Sequence, residues 1–293
     1  MFRTDLFKGK RFLVTGGGSG LGRLMMEKFV ELGADCVILG RRGGVLKEAA
    51  DAAMARHPGR RVDTYGCDIK VASAVEETID AIWREVGPLD GLVNNAAGNF
   101  ISQTKDLSPR AFDAIANIVF HGTFYMTNAC GRRWIAEGRA ASVLSILTTW
   151  VWTGSPFVVP SAMSKAGVAV MTQSLAVEWA RHGIRLNAIA PGPFPTEGAW
   201  ARLSPMGDGA EDPYKTRNPM GRVGRPHELA NMAAFLMSDE VAYINGEVVA
   251  IDGGMGIMGN GTFSHMLAYD EDHWRKIREA IQSTNAADRA KRG

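Results

Sequence analysis

The chain has 293 residues, of which 46% are hydrophobic, so it can form one large or two small domains with a substantial core. Its 33 basic and 31 acidic residues are spread along the sequence and leave a net charge of only +2. No basic surface for nucleic acid or an anionic membrane is therefore predicted. We expect a small-molecule substrate, with neither nucleic acid nor a membrane as a partner.

The cysteines and the hydropathy pattern favour a reducing, aqueous compartment. Cys36, Cys67 and Cys130 are odd in number, far apart and flanked by apolar residues, which favours reduced buried thiols over disulfides. No CxxC pair indicates a metal. No apolar run approaches the roughly 18 residues of a membrane span, and the first residues lack the cleavage site of a signal peptide. The sequence predicts a cytoplasmic protein without a metal site.

Seven short β-rich runs alternate with longer amphipathic segments. The clearest helices are predicted at 21–32, 71–86 and 162–182, and the strands at 11–15, 35–40, 62–67, 91–95, 142–147, 184–190 and 247–251. Such alternation predicts βαβ units with right-handed crossovers. The expected fold class is α/β: a doubly wound, parallel, seven-stranded sheet with helices on both faces.

Two segments fall outside this alternation. Residues 192–226 are rich in Pro, Gly and charge and lack periodicity, and an irregular stretch of that length in a compact domain is usually functional. We predict a substrate loop there. A tail over 255–293 contains a charged helix around 270–282, which could pack on a neighbouring subunit or close over the site.

A glycine-rich segment, TGGGSGLG at 15–22, follows the first predicted strand and opens the first predicted helix. Glycines there let a pyrophosphate approach the backbone, and the helix N-terminus favours its charge. This context favours dinucleotide binding over an ordinary turn. It predicts a single Rossmann domain over 1–293, with cofactor contacts from Gly16, Gly18, Ser19, Gly20, Leu21 and Gly22.

The end of the second strand indicates which nicotinamide cofactor is used. Sites that prefer NAD usually carry an acidic residue there for the ribose 2′-hydroxyl, whereas this chain has Arg41 and Arg42. Two guanidinium groups suit the 2′-phosphate of NADP(H), although solvated arginines at a helix start are an alternative. Asp68 and Ile69, after the third strand, are expected at the adenine.

Three further motifs identify a family resemblance. These are NNAAG at 94–98, Lys165 in the long central helix, and PGP at 191–193. With them, residues 8–255 resemble the short-chain dehydrogenase/reductase family. The resemblance implies an oxidoreductase, usually a homotetramer, whose lysine holds the nicotinamide ribose. It also implies cofactor contacts from Asn95, Ala96, Ala97, Gly98, Lys165, Pro191, Gly192, Pro193 and Phe194.

Within that family, the segments at 94–102 (NNAAGNFIS), 157–165 (FVVPSAMSK) and 196–205 (TEGAWARLSP) resemble 2,4-dienoyl-CoA reductases. This resemblance implies that NADPH reduces a conjugated C=C bond of an acyl-CoA thioester. The matching substrate residues are Asn99 and Phe100, with Ser108 and Arg202 toward the CoA portion.

The chain departs from the family at the catalytic acid. The usual tyrosine, four residues before the lysine, is Ser161, and the usual serine is Thr148. Dienoyl reductases also lack that tyrosine, and the mitochondrial kind uses another tyrosine shortly after the fifth strand, at the position of Trp150 here. An aliphatic hydroxyl is a much weaker acid than a phenol, and an indole N–H does not ionise near neutrality.

His121 and a group of aromatic residues near these positions have alternative interpretations. His121 stands where relatives carry a structural asparagine, so it could conduct protons or be a hydrogen-bonded core histidine. Three aromatic residues, Trp150, Trp152 and Phe157, could form a wall of an acyl pocket or belong to the core.

The residues thus leave three functions open. In a conjugate reduction, Asn99 with Thr148 or Ser161 would stabilise an enolate oxygen, and water could supply the proton. Alternatively, the protein is a short-chain dehydrogenase for another alcohol or ketone, such as a hydroxyacyl-CoA, or a non-catalytic NADP(H)-binding protein.

Overall fold

A computed structural model describes residues 2–196, 218–259 and 261–292. Seven strands form one parallel sheet in the order β3-β2-β1-β4-β5-β6-β7. They are β1 Arg11–Thr15, β2 Asp35–Gly40, β3 Val62–Gly66, β4 Gly91–Asn94, β5 Ala141–Ile146, β6 Ile184–Pro191 and β7 Val248–Ile251. All seven predicted strands are confirmed, and their ends differ from the prediction by no more than one residue.

Helices connect the strands, as the alternating pattern predicts. The α-helices are α1 Gly20–Glu31, α2 Gly43–Arg56, α3 Ala72–Glu85, α4 Pro109–Ala116, α5 Thr123–Glu137, α6 Trp150–Thr153, α7 Val159–Glu178, α8 Pro226–Met237, α9 Met255–Met258 and α10 Glu271–Arg292. A π-helical turn, Asn117–Gly122, joins α4 to α5. Short 3-10 turns occur at Thr104–Asp106, Ala180–His182, Asp239–Val241 and Ser264–Ala268.

Both faces of the sheet are buried. Neighbouring residues of a strand point to opposite faces, so each strand contributes to two core layers. Phe12 and Val14 of β1 belong to a core layer that contains residues of α1, α2 and α8. Leu13, between them, packs in a second layer with residues of α3, α5 and α7. Burying one such side chain contributes about 1.5–3 kcal/mol, so the two layers together dominate the stability of the fold.

The strand order reverses direction between β1 and β4. The chain first builds outward from β1 to β2 and β3, then crosses back so that β4 pairs with the free edge of β1. Loops leave the carboxyl ends of β1 and β4 in opposite directions at this switch point, and a crevice opens between them. The fold therefore places the glycine-rich loop and the residues after β4 on facing walls of one crevice.

The structure describes most of the predicted tail but only the two ends of the predicted substrate loop. Residues 197–217, including Arg202, lie outside the described residues. The predicted charged tail helix is confirmed as α10, and each of its described side chains except Ile277 is exposed. Among the described residues, no helix is long and apolar enough to cross a membrane, and no cluster of three His, Cys, Asp or Glu residues could hold a metal.

Candidate active site

A cleft of about 490 Å³ lies along the carboxyl ends of β1 to β6. It extends from Arg41 and Asp68, after β2 and β3, past the glycine-rich loop to Lys165 on α7. Parallel α/β sheets bind ligands at this edge, beside the switch point. The cleft brings together the predicted residues Gly16, Gly18, Ser19, Leu21, Arg41, Arg42, Asp68, Ile69, Asn95, Ala96, Ala97, Asn99, Thr148, Trp150, Ser161, Lys165, Pro191, Gly192, Pro193 and Phe194.

The glycine-rich segment is packed most closely at Gly17 and Gly22, where a side chain would not fit. A Cβ on Gly22 would lie 2.4 Å from Nδ2 of Asn95 and 2.5 Å from the carbonyl oxygen of Gly16. Gly16 itself has φ +67°, a left-handed conformation that favours glycine. The backbone therefore borders the cleft directly, and α1 begins there with its N-terminal amides beside the open space. This cradle fits a pyrophosphate.

Thr15 is a site residue that the sequence reasoning missed. Its Oγ accepts hydrogen bonds from the backbone N–H groups of Asn95 and Ala96, both at 2.9 Å, and donates to the carbonyl of Val93. The side-chain amide of Asn95 in turn donates to the carbonyl of Thr15 at 2.9 Å. These bonds fix the loop after β4 to the end of β1. In the sequence, the feature that could have indicated this role is a hydroxyl residue at the end of a strand, directly before the glycine run.

Positive charge marks the end of the cleft at β2. Arg41 and Arg42 are exposed there, and within the described ranges neither is paired with a carboxylate. Arg42 donates to the hydroxyl of Ser19 at 3.3 Å, which places its guanidinium beside the glycine-rich loop. The carboxylate of Asp68 is paired with Lys70 at 3.3 Å. Both guanidinium groups thus remain available to an anionic ligand.

Lys165 is a buried cation at the opposite end. Its ammonium group donates to the backbone carbonyl of Ile146, at the end of β5. Burial lowers the pKa of Lys165 from its usual 10.5 to about 8, because an ammonium without water is less stable. Helix α7 positions this lysine one turn after Ser161, on the same helical face.

Three side chains that can form hydrogen bonds, those of Asn99, Thr148 and Ser161, line the same cleft as Lys165. The Oδ1 of Asn99 accepts the backbone N–H of Phe100 at 2.9 Å, which leaves its NH₂ group as a donor. Ser161 is buried, and Thr148 lies in the loop after β5. Within the described part of the chain, the hydroxyls of Thr148 and Ser161 make no side-chain hydrogen bond. The cleft thus contains a set of donors suited to an oxyanion.

Several predicted residues do not line the cleft. Ser108 caps α4 by accepting the N–H of Ala111 at 3.2 Å, and Phe100 lies beside Asn99 but outside the lining. His121 is exposed on the π-helical turn, with its ring against Phe120, so neither the proton-relay nor the core interpretation describes its position. A wide turn rotates the following side chains away from their α-helical positions. The predicted glycines without a place in the lining are Gly20 and Gly22, in the first turn of α1, and Gly98, in the loop after β4.

Of the three aromatic candidates for an acyl wall, Trp150 alone lines the cleft. Trp152 and Phe157 are each more than half exposed and lie outside the lining. The sequence reasoning also missed Thr149, Thr196 and Met255, which do line it.

Met255 reaches the cleft because Asp252 organises the turn after β7. The Oδ1 of Asp252 accepts the N–H of Gly254 at 2.9 Å, and its Oδ2 accepts the N–H of Gly256 at 2.6 Å. The side-chain amide of Asn218, just after the undescribed part of the substrate loop, donates to the backbone carbonyl of Asp252 at 2.8 Å. One aspartate therefore holds the start of the tail against the cleft.

The doubly wound sheet, the glycine cradle at its switch point and the buried lysine define a dinucleotide-binding α/β protein. A family model described as enoyl-(acyl carrier protein) reductase matches residues 16–256. The chain belongs to this family of short-chain dehydrogenases/reductases, which are oxidoreductases with a nicotinamide cofactor.

Known relatives agree with this membership over most of the chain. A probable 2,4-dienoyl-CoA reductase 3, (3E)-enoyl-CoA-producing, from Caenorhabditis elegans is 44% identical over 96% of this chain and 92% of its own length. A probable (2E)-enoyl-CoA-producing 2,4-dienoyl-CoA reductase from Bacillus subtilis is 39% identical over 84% and 96%. The crystal structure of a gluconate 5-dehydrogenase from Burkholderia cenocepacia, in complex with NADP and tartrate, superposes with a TM-score of 0.79 at 31% identity, covering 86% and 98% of the two chains.

Proposed function

We propose that this protein uses NADPH to reduce a conjugated C=C bond of an acyl-CoA thioester, as the names of its dienoyl-CoA reductase relatives describe. The observation that carries the proposal is the donor set at the lysine end of the cleft. The free NH₂ group of Asn99 and the hydroxyls of Thr148 and Ser161 belong to residues that line the cleft, while none of the described tyrosines lines it.

This donor set favours conjugate reduction over ketone reduction. A ketone develops negative charge on one oxygen that must be protonated as reduction proceeds, and general acid catalysis of that step is worth ~10²–10⁴-fold. A conjugated thioester instead gives an enolate, whose charge is delocalised and can persist until a proton arrives. Preorganised donors such as Asn99 stabilise such an oxyanion by ~10²–10³-fold each.

The cleft also fits the cofactor. NADPH, when bound, supplies the hydride. The glycine cradle would hold its pyrophosphate, Arg41 and Arg42 its 2′-phosphate, and Lys165 its nicotinamide ribose, with Asp68 and Ile69 at the adenine. The positions of the lining residues, with Arg41 and Arg42 after β2 and Lys165 on α7, support this orientation.

We further propose one domain over residues 1–293 and a homotetramer in the cytoplasm. The three cysteines are free and buried, as in a reducing compartment. Phe120 and Phe124, with Val170 and Val177 of α7, are large apolar side chains between 43% and 82% exposed, which supports contact with further copies.

The proposed reaction is tested by oxidation of NADPH with a panel of 2,4-dienoyl-CoA, 2-enoyl-CoA and 3-ketoacyl-CoA substrates. We expect the dienoyl or enoyl thioesters to turn over fastest. Asn99→Ala should lower kcat by about 10²-fold or more, since one oxyanion donor is lost. Asn117→Ala, which removes an exposed amide outside the cleft lining, is the matched control and should leave kcat unchanged. Faster turnover of the ketoacyl substrate would refute the proposal.

A further inference from the structure

Phe157, in the turn between α6 and α7, has an unusual backbone conformation. Its φ is +66°, and within the described part of the chain it is the one residue other than glycine with a positive φ. This left-handed region brings the Cβ of an L-residue too close to the following carbonyl oxygen. Gly154, in the same turn, also has a positive φ, of +65°, but a glycine tolerates it. Phe157 is therefore strained where Gly154 is not.

The side chain of Phe157 does not offset this strain by burial. Its ring is 53% exposed and lies outside the cleft lining. Strained conformations persist where the surrounding structure over-determines them, and they cluster at active sites. The backbone of Phe157, rather than its ring, is thus the part whose contacts account for the conformation.

The backbone carbonyl of Phe157 accepts the N–H of Ser102 at 2.9 Å. Ser102 belongs to the loop after β4, in which residues 95–103 form neither helix nor strand. The start of this loop is fixed to the end of β1 by the hydrogen bonds to Thr15. Beyond those bonds, the contact between Ser102 and Phe157 is the single hydrogen bond among described residues that joins residues 97–103 to a distant segment.

This bond joins the two segments that carry proposed oxyanion donors. Asn99 lies three residues before Ser102 and lines the cleft. Phe157 lies directly before the N-cap residue of α7, the helix that carries Ser161. A misplacement of about 1 Å in a reacting group can cost ~10²-fold in rate, so a donor on an irregular loop needs a fixed support. The carbonyl of Phe157 is such a support.

We propose that Phe157 is a positioning residue for the reduction, an inference that rests on the proposed function. Its left-handed backbone turns the carbonyl toward Ser102, and this bond holds the loop so that the NH₂ group of Asn99 stays in place for the thioester oxygen. In this role the backbone conformation at position 157 matters and the ring does not.

Substitutions of Phe157 that differ in their tolerance of a positive φ test the proposal. Asparagine and valine are close in size and both lack the ring, but asparagine tolerates the left-handed region and a β-branched residue does not. On whichever substrate of the panel turns over fastest, Phe157→Val should lower kcat by roughly 10- to 100-fold, within the value of one oxyanion donor. Phe157→Asn and Phe157→Gly should restore most of kcat. The Kd of NADPH, from its fluorescence, should be the same in all three.

Phe263→Val is the matched control. Phe263 is also an exposed phenylalanine outside the cleft lining, but its φ is an ordinary −103°. This variant should keep the kcat and the Kd of the wild-type protein. A lower kcat in Phe157→Asn than in Phe157→Val would overturn the proposal, because it would show that the apolar side chain, and not the backbone, is required.

A double variant gives a readout that a merely structural role would not move. In a protein that already carries Asn99→Ala, Phe157→Val should lower kcat little further, because both changes act on the same amide. Two losses that multiply, or a weaker Kd of NADPH in Phe157→Val, would show that the turn supports the fold or the cofactor instead of Asn99, and would overturn the proposal.

Hydrogen–deuterium exchange of the peptide that contains Ser102, read by mass spectrometry, tests the bond without a substrate. Exchange should be roughly tenfold faster in Phe157→Val than in the wild type and unchanged in Phe157→Asn, as the cost of the left-handed region for an L-residue implies. Equal exchange in Phe157→Val and the wild type would overturn the role of Phe157, whichever substrate is reduced. Faster exchange together with preferred turnover of the ketoacyl substrate would overturn the proposed function and support the fixing of this loop by Phe157.

Discussion

Lys165 is a residue whose burial opposes the stability of the fold, at the place where we propose that it holds the cofactor. A buried ammonium is costly, and a pKa lowered from 10.5 to about 8 expresses that cost as a preference for the neutral form. The carbonyl of Ile146 offsets only part of it. Such perturbed groups concentrate in functional clefts, and the position of Lys165 in the cleft agrees with this tendency.

We expect single residues to decide the cofactor preference as well. We predict that NADPH binds more tightly than NADH, and that Arg41→Asp abolishes or reverses the preference. A charge-assisted pair is worth about 1.5–3 kcal/mol, or roughly ten- to a hundredfold in Kd. Fluorescence titration with both cofactors measures the change.

Arg84→Asp is the control for this prediction, since it makes the same charge change on an exposed residue of α3, away from the cleft. The control should preserve the ratio of the two Kd values. Equal Kd values for NADPH and NADH in the unmodified protein would contradict the role given to Arg41 and Arg42.

At the scale of elements, the glycine-rich loop makes the start of α1 sensitive to one methyl group. Gly22→Ala should weaken NADPH binding and reduce the free energy of unfolding by about 1–3 kcal/mol, because its Cβ would overlap Asn95 and Gly16. Thermal and denaturant unfolding measure the loss.

Gly44→Ala is the matched control at the start of α2, where a Cβ meets nothing within 4 Å. Alanine favours a helix over glycine by up to about 1 kcal/mol, so this variant should be as stable as the wild type or more so. A Gly22→Ala protein as stable as Gly44→Ala would show that the loop has room that the structure does not indicate.

The elements themselves were predictable from the sequence, because local patterns determine them. Short β-rich runs between amphipathic segments predict all seven strands, and the spacing from Ser161 to Lys165 places both residues on one helical face. Positions that depend on distant contacts were not predictable. Met255 reaches the cleft through the hydrogen bonds of Asp252, and His121 points away because the helix widens into a π turn. Neither feature leaves a periodic pattern in the sequence.

For the whole molecule, the exposed apolar side chains of α5, α7 and the π-helical turn indicate how copies of the chain associate. In a lone chain Phe120, Phe124, Val170 and Val177 are between 43% and 82% exposed to water, and large exposed apolar patches mark contact surfaces. We predict a particle of about four chains by light scattering coupled to gel filtration. Paired substitutions Phe124→Lys and Val170→Lys should dissociate it while the far-ultraviolet circular dichroism stays unchanged.

Tyr243→Lys is the control for this experiment, since Tyr243 is a fully exposed aromatic residue that belongs to none of these three elements. The control should keep the mass of the wild-type particle. A monomeric wild type at micromolar concentration would refute the tetramer.

The switch in strand order also has a consequence during synthesis of the chain. β1 pairs with β2 on one edge, but its other edge is completed only by Gly91–Val93 of β4. About eighty further residues must therefore leave the ribosome after β1 before Phe12, Leu13 and Val14 lose an open edge. Unpaired apolar edges invite aggregation of nascent chains. Fragments that stop before β4 should depend on chaperones to remain dispersed, whereas those that extend past Asn94 should not.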